Sequence, residues 1–445
     1  MKKVIIPLLV AVIGIGVIFY FNRTASNDRT FEKRLQTIAE DSYNFLKEYT
    51  DTGTGLTMDR VDLEDGERLY EQTSPTNIGL YLASTISAVE MGMIEEGEAK
   101  EKVETTLETL KNMETWHGLY YNWYYVADGS LMKDWGEFIS TVDNGWLTSA
   151  LVIVGQYFPD LSETTDQLVT QMDYSHLYDE QVGQFHGGYD AEQDQLTDHH
   201  YGLLYSETRI TSYTAIGKED VPENHWWRLF RTFPPKDDWQ QQKPNGALVT
   251  YDDIELYQGH YTYDDIKFVP SWGGSMFEAL MPTLFINEKE LGEQALGLNN
   301  ERYVAGQIKY AEEKDFPVWG FSPAATKDGY NEFGASPLAI EGYEDHTTVT
   351  PHASILGLDY APDDVEKNID ALIELDMYGE NGFYDAINLE TDEVVKSYLS
   401  LDQAMIMIAI TNYLHDGIIR DYFHDDPIGK EPEHLLKEED FMIKD

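Results

Sequence analysis

The chain has 445 residues, 42% hydrophobic and 13% aromatic, enough apolar side chain for a large core and too much for a disordered protein. Its 81 acidic against 31 basic side chains give a formal charge of -50, which repels nucleic acid and anionic polymers and favours a neutral substrate. Cysteine is absent, so disulfides, thiolate metal sites and cysteine nucleophiles are excluded.

At the N-terminus Met1, Lys2 and Lys3 precede 18 apolar positions, Val4 to Phe21, the threshold length for a bilayer-spanning helix. The two lysines favour a cytoplasmic N-terminus with the body outside, an asymmetry that Arg23 weakens. No small-x-small cleavage site follows Phe21, so residues 1–22 are predicted as an uncleaved anchor rather than a cleaved signal peptide. Residues 23–30 are polar and serve as a linker. The expected location is a single-pass cell-membrane protein with its body extracellular, or a secreted one if the segment is cleaved.

Helical spacing then recurs along the chain. It predicts helices over Phe31–Tyr49, from Ser74 to about Met91, and over Glu96–Met113, Asn144–Tyr157, Glu163–Met172 and Gly202–Ile216. Five more follow over Ser275–Phe285, Asn300–Glu313, Thr350–Leu358, Asp363–Leu375 and Ser400–Leu414. Aromatic and glycine-rich loops such as HGLYYNWYY and QVGQFHGGYD separate them. A solenoid would repeat its loops, and this chain does not. The predicted fold is all-α: paired helices in a toroid over residues 31–424, loops forming a cleft at one end, and a charged tail, 425–445, skirting the body.

Two carboxylates about seventy residues apart, Glu207 in YSETRITSY and Glu278 in SWGGSMFEALMP, stand in otherwise small, apolar or aromatic stretches. Burying a carboxyl in such a stretch is costly unless it is paired, hydrogen-bonded or protonated. With Trp226, Trp227 and Trp272 flanking them, the pair resembles the equipment of a glycoside hydrolase. The competing reading is two helix carboxylates satisfied by local partners such as Arg209. Asp143, where a polar loop enters an apolar helix, is either an N-cap or a third cleft carboxylate, with Trp123 and Trp146 as stacking platforms. Asp198, His199, His200 and His346 lack metal-site spacing, and DAEQDQLTD lacks the glycine and glutamate of a calcium loop. No metal or cofactor is expected. Acyl, phosphoryl and hydride chemistry have no local motif.

In order along the chain, GLTMDRV, TSPTNIGLYLAS, GLYYNWYY, ISTVDNGWL, YSETRITSYTAIGKEDVPENHWWRL, SWGGSMFEALMP, VWGFSPA, VTPHAS, GENGFYDAIN and LSLDQAMIMIAITNYL resemble the glycoamylase-like family. That family includes the glucan-processing part of cyclic β-1,2-glucan synthases and stand-alone β-1,2-glucanases. The resemblance implies an (α/α)6 toroid, Glu207 as general acid, Glu278 as the second catalytic carboxylate and Asp143 as an acidic cleft position. Trp123, Trp146, Arg209, Trp226, Trp227, Trp272, Trp319 and Asp402 are the candidate substrate-binding residues. The chain departs from the family pattern at Pro323 and over Leu401–Ala404, changes expected to alter subsite binding. The expected function is hydrolysis of a neutral, β-linked glucan. The alternatives are transglycosylation by the same carboxylates and non-catalytic glycan binding; the oligomeric state is left open.

Overall fold

The computed structural model describes residues 29–64, 66–238, 240–326, 329–343 and 347–444. The anchor over 1–22, most of the linker 23–30, and His346 lie outside them. Among the described residues no helix is long and apolar enough to cross a membrane.

The helices are α1 (29–48), α2 (Pro75–Glu90), α3 (Glu96–Leu110), α4 (Thr141–Tyr157), α5 (Ser162–Gln171), α6 (Arg209–Gly217), α7 (His225–Arg228), α8 (Met276–Leu280), α9 (Glu288–Leu291), α10 (Leu296–Glu313), α11 (Pro351–Ile355), α12 (Pro362–Glu374), α13 (Ser400–Leu414) and α14 (Ile418–Asp425). They fall into two kinds. α2, α4 and α13 are buried on nearly every side, from Pro75 to Ala88, Thr141 to Gly155 and Ser400 to Asn412. A helix apolar or small all round belongs inside, whereas a one-sided stripe such as Val365, Ile369 and Leu372 of α12 marks an outer position.

The packing follows from that division. α2 lies against α4 and α13, α4 against α6, and α11 against α8 and α13. Arg209 Nη2 of α6 donates to the Ala279 carbonyl of α8 (2.9 Å), bridging the remaining step. Outside this ring α3 packs on α2, α5 on α4, α10 on α8 and α12 on α11. α1 joins α12 through Arg34 and Glu366 (2.8 Å), and α13 through Ser42 and Gln403 (2.9 Å). Two glycines permit the closest inner contacts. A Cβ on Gly145 would stand 1.9 Å from Thr211 Oγ1 of α6, and one on Gly79 2.9 Å from the Leu147 backbone of α4.

The structure corrects the all-helical expectation. The aromatic loops fold into nine small antiparallel sheets of two or three strands among the described residues. The longest pair, Asn245–Tyr251 with Ile254–Tyr263, turns at Asp252 and Asp253, both at positive φ (46° and 62°) as a tight hairpin requires. The tail is also corrected. Leu435, Leu436, Phe441 and Ile443 are buried, and the Glu439 carboxylate is enclosed by Arg231 and by Trp226 Nε1 (3.1 Å). It is part of the body, joined to it by the fully buried Arg231–Glu439 ion pair.

Candidate active site

The first turns of α2, α4, α8 and α13, and the turn leading into α6, open on one cavity of about 850 Å³. The positive ends of several inner helices therefore face a single space, an arrangement that favours acidic groups. Asp59, Asp143, Glu207, Glu278 and Glu332 line it, together with Trp123, Trp135, Trp146, Tyr330 and Tyr343.

Glu207 does not sit inside a helix as expected. The helix begins at Arg209, and Glu207 occupies the preceding turn, half-buried at the cavity wall. Its carboxyl has no side-chain donor among the described residues, only its own backbone amide, and Arg209 does not satisfy it. That guanidinium is fully buried and bound instead to Glu288 (Nε to Oε1, 2.6 Å) and to the carbonyls of Leu204, Ser206 and Ala279. Arg209 thus braces the turn that carries Glu207. Burial, reinforced by the Glu278 charge, pushes the Glu207 pKa up to about 7.

Glu278 is the opposite case. Ser275 caps α8, accepting from the Glu278 amide (3.2 Å) while its own amide and hydroxyl donate to Glu278 Oε2 (3.2 and 3.0 Å), a capping box. Ser271 Oγ donates to the same oxygen (2.7 Å) and Tyr343 Oη to Oε1 (3.1 Å), while the Gly273 amide reaches both (3.1 Å). Gly273 is required here: a Cβ would lie 1.8 Å from the Tyr343 ring. Burial raises the Glu278 pKa, and these donors pull against it. Both carboxyls are thus raised by burial, but Glu207 lacks side-chain donors while Glu278 is held and oriented by several.

Asp143 is not the N-cap of α4. Ser140 takes that role, and the Asp143 carboxylate accepts from Thr76 Oγ1 (2.6 Å). The Asn122 amide, oriented to satisfy both neighbours, donates to Asp143 Oδ2 (3.0 Å) and accepts from Trp123 Nε1 (3.1 Å). Burial raises the Asp143 pKa. Asp59, held by Asn77 Nδ2 (2.8 Å) and Gln72 Nε2 (3.3 Å), is raised by burial in the same way.

Of the candidate platforms, Trp123 and Trp146 line the cavity. Sequence reasoning missed Trp135, set edge-on to Trp123 (5.4 Å between centroids), and Asp59, Tyr330 and Tyr343. Six other candidates are not among its lining residues. Trp226 is buried against Glu439, and Trp227 is buried and stacked on Tyr251 at 4.1 Å. Trp319 is buried beneath α12, its backbone bonded both ways to the Asn368 amide (2.9 Å each). Arg209 is spent on Glu288. Asp402 lies under the cleft floor, buried against His352 (3.2 Å), where burial pushes its pKa up to about 7. Trp272 is partly exposed but is not among the lining residues.

The profile of the family described as "Putative glucoamylase" matches residues 199–427, half of the chain, including both glutamates. The chain belongs to the glycoamylase family. A second profile, of a family described as a protein of unknown function, matches residues 37–218. The chain is 31% identical over 294 residues, 62% of its length, to the cyclic β-(1,2)-glucan synthase NdvB of Rhizobium meliloti. It is 22% identical over 424 residues, 86% of its length, to the exo β-1,2-glucooligosaccharide sophorohydrolase of Parabacteroides distasonis. The chain spans only 9% of the first relative and 55% of the second. In fold it is similar to the endo-β-1,2-glucanase of Chitinophaga pinensis solved with sophorotriose and glucose, at a TM-score of 0.71, 15% identity, and 91% and 98% coverage of the two chains.

Proposed function

We propose that this glycoamylase-family chain is a glycoside hydrolase on an (α/α)6 toroid, cleaving a neutral β-1,2-linked glucan. The observation that carries the reading is the pairing, on one cavity, of a Glu207 without side-chain donors, raised to about 7, with a Glu278 held by several. At neutral pH about half of the Glu207 carboxyls hold a proton, which suits a general acid.

In the proposed reaction Glu207 delivers its proton to the leaving glycosidic oxygen. Glu278, oriented by the serine donors on Oε2 and by Tyr343 and the Gly273 amide on Oε1, attacks the anomeric carbon with one carboxylate oxygen or activates water. Asp143 is the competing base. A separation between the working carboxyls of about 5–5.5 Å accompanies retention and about 6.5–9.5 Å inversion, so the anomer of the first product assigns Glu278 as nucleophile or moves the base role to Asp143. Trp123 and Trp135 form an aromatic corner for sugar rings.

The β-1,2 linkage rests on the names of the relatives, and the neutral substrate on the acidic surface. Incubating residues 27–445 with a panel of linkage-defined glucans tests both. Release of short oligosaccharides from β-1,2-glucan is expected, and equal or greater release from another linkage would reassign the substrate. The likeness to a synthase favours one second reading, transfer of the glycosyl group to a sugar instead of water, which product chain lengths above that of the substrate would reveal. The proposed location is the outer face of the cell membrane. The full chain should then sediment with membranes, resist salt extraction and be cut by protease added to intact cells; protection from that protease would place the body inside.

A further inference from the structure

Away from the cleft, three short strands, Tyr178–Asp179, Gln184–His186 and His200–Tyr201, form one sheet with Gln184–His186 in the middle. His186 and His200 are directly opposed across it, and Asp179 faces Gln184, two residues before His186 and so on the same face. The imidazoles lie 4.5 Å apart between centroids. Asp179 Oδ1 is occupied by the amides of Gln181 and Val182, which leaves Oδ2 turned to His200 Nε2 (3.1 Å) and His186 Nε2 (3.9 Å).

The His186 tautomer is set by its other nitrogen. Nδ1 stands 2.7 Å from the Thr197 carbonyl, which can only accept, so Nδ1 carries the hydrogen. In neutral His186 the Nε2 lone pair therefore points towards a carboxylate oxygen, acceptor facing acceptor. Such a pair is satisfied by a proton, a bridging water or a metal cation between its members, and the second imidazole beside the same oxygen favours the metal. A ring nitrogen fixed by a bond from Nδ1–H to a carbonyl is also the arrangement that orients histidine ligands in metal sites.

From this we infer that Asp179, His186 and His200 form a site for a divalent transition-metal ion of the zinc class, with solvent completing the coordination. The donor set is two imidazoles and one carboxylate in a chain without thiolates, which suits zinc better than calcium or magnesium. At ligand bonds of about 2.0–2.1 Å a tetrahedral site has edges of about 3.3 Å, between the two distances observed here. All three ligand atoms lie within 4.8 Å of one another and are reached by solvent. Sequence spacings of seven and fourteen match no metal motif, because the sheet rather than a helix brings the ligands together. The ion would act on position rather than chemistry. Tyr201 follows His200 on the opposite face of the same strand, and the chain runs from there into the turn that carries Glu207. Clamping the sheet would therefore fix the segment that leads into Glu207.

The test is zinc titration of the chelator-stripped full chain by calorimetry, with cobalt(II) as the spectroscopic probe. One saturable site per chain is expected, with the visible absorption of four-coordinate cobalt. His186→Ala should weaken binding at least about tenfold, as should His200→Gln, which keeps a donor towards Asp179 and guards against a folding defect. His176→Ala should leave binding unchanged; it alters the other surface imidazole cluster, where His117 and His176 stack at 3.5 Å beside Asp173. Absence of a saturable site in the wild-type chain would overturn the inference. So would zinc binding retained in His186→Ala/His200→Gln, since diffuse attraction to the acidic surface would then account for it.

Discussion

Glu207→Gln separates chemistry from stability, because one substitution should move them in opposite directions. Glutamine keeps the shape of the side chain and removes the transferable proton, so turnover of natural glucan should fall by about 10²–10⁴-fold. Activated aryl glycosides, whose leaving group needs no protonation, should suffer less. For stability, burial raises the Glu207 pKa from its ordinary 4.5 to about 7. Below pH 4.5 folded and unfolded chains both carry the proton and the group contributes nothing to pH dependence. Between 4.5 and about 7 the unfolded chain has released a proton that the folded chain still holds, so stability falls as pH rises through this window. At about 1.4 kcal/mol per pKa unit the full penalty above pH 7 is about 3 kcal/mol, reduced to about 1–2 kcal/mol because Glu207 is only half-buried. Urea unfolding of both proteins from pH 4.5 to pH 8 reads this directly. The variant should gain about 1–2 kcal/mol at pH 8 and nothing near pH 4.5. Equal stability at both pH values, with near-wild-type activity on glucan, would refute the reasoning.

Glu278→Ala should abolish turnover, and in a retaining enzyme added azide should restore it with a glycosyl azide product; no rescue together with an inverted first product would transfer the base role to Asp143. Arg209→Met should cost about 3–5 kcal/mol in denaturant unfolding, because it strands the fully buried Glu288 carboxylate, and a loss below about 1 kcal/mol would contradict the bracing role. Gly145→Ala should destabilise by about 1–3 kcal/mol, since its Cβ would meet Thr211 of α6 at 1.9 Å and the neighbouring backbone at 2.9 Å. Trp135→Ala should raise KM for glucan about 3–10-fold with kcat little changed, the loss of one aromatic contact of about 0.5–1.5 kcal/mol; an unchanged KM would remove Trp135 from the binding surface.

The long helices were legible because caps and spacing agree with burial. Ser74 followed by Pro75 starts α2 within a residue of its predicted position, and α13 keeps its predicted bounds. The strands were less legible. Two- and three-residue pairings such as Tyr178–Asp179 are too short for alternation to register, although Asp252 and Asp253 between two alternating runs were a readable hairpin signal. In the cleft, lone carboxylates in apolar surroundings pointed to Glu207 and Glu278. Asp59 looked like any loop aspartate, because its burial depends on Asn77 and Gln72 closing over it. The tryptophan readings diverged for a related reason. An indole flanking a cleft residue in sequence is as easily turned into the core, as Trp226 and Trp227 are, and the exposed Trp135 carried no motif to mark it.

Cleavage of a β-glucan bond by Glu207 and Glu278 acting together can be read in a single experiment. Purified wild-type chain, Glu207→Gln and Glu278→Gln would each be incubated with β-1,2-glucan, and chain length followed by mass spectrometry and anomeric NMR. Progressive shortening is expected with the wild type, and at least about a hundredfold slower shortening with either variant while both retain folded spectra. Shortening at wild-type rates in both variants, or intact glucan with the wild type on every linkage tried, would contradict that joint role.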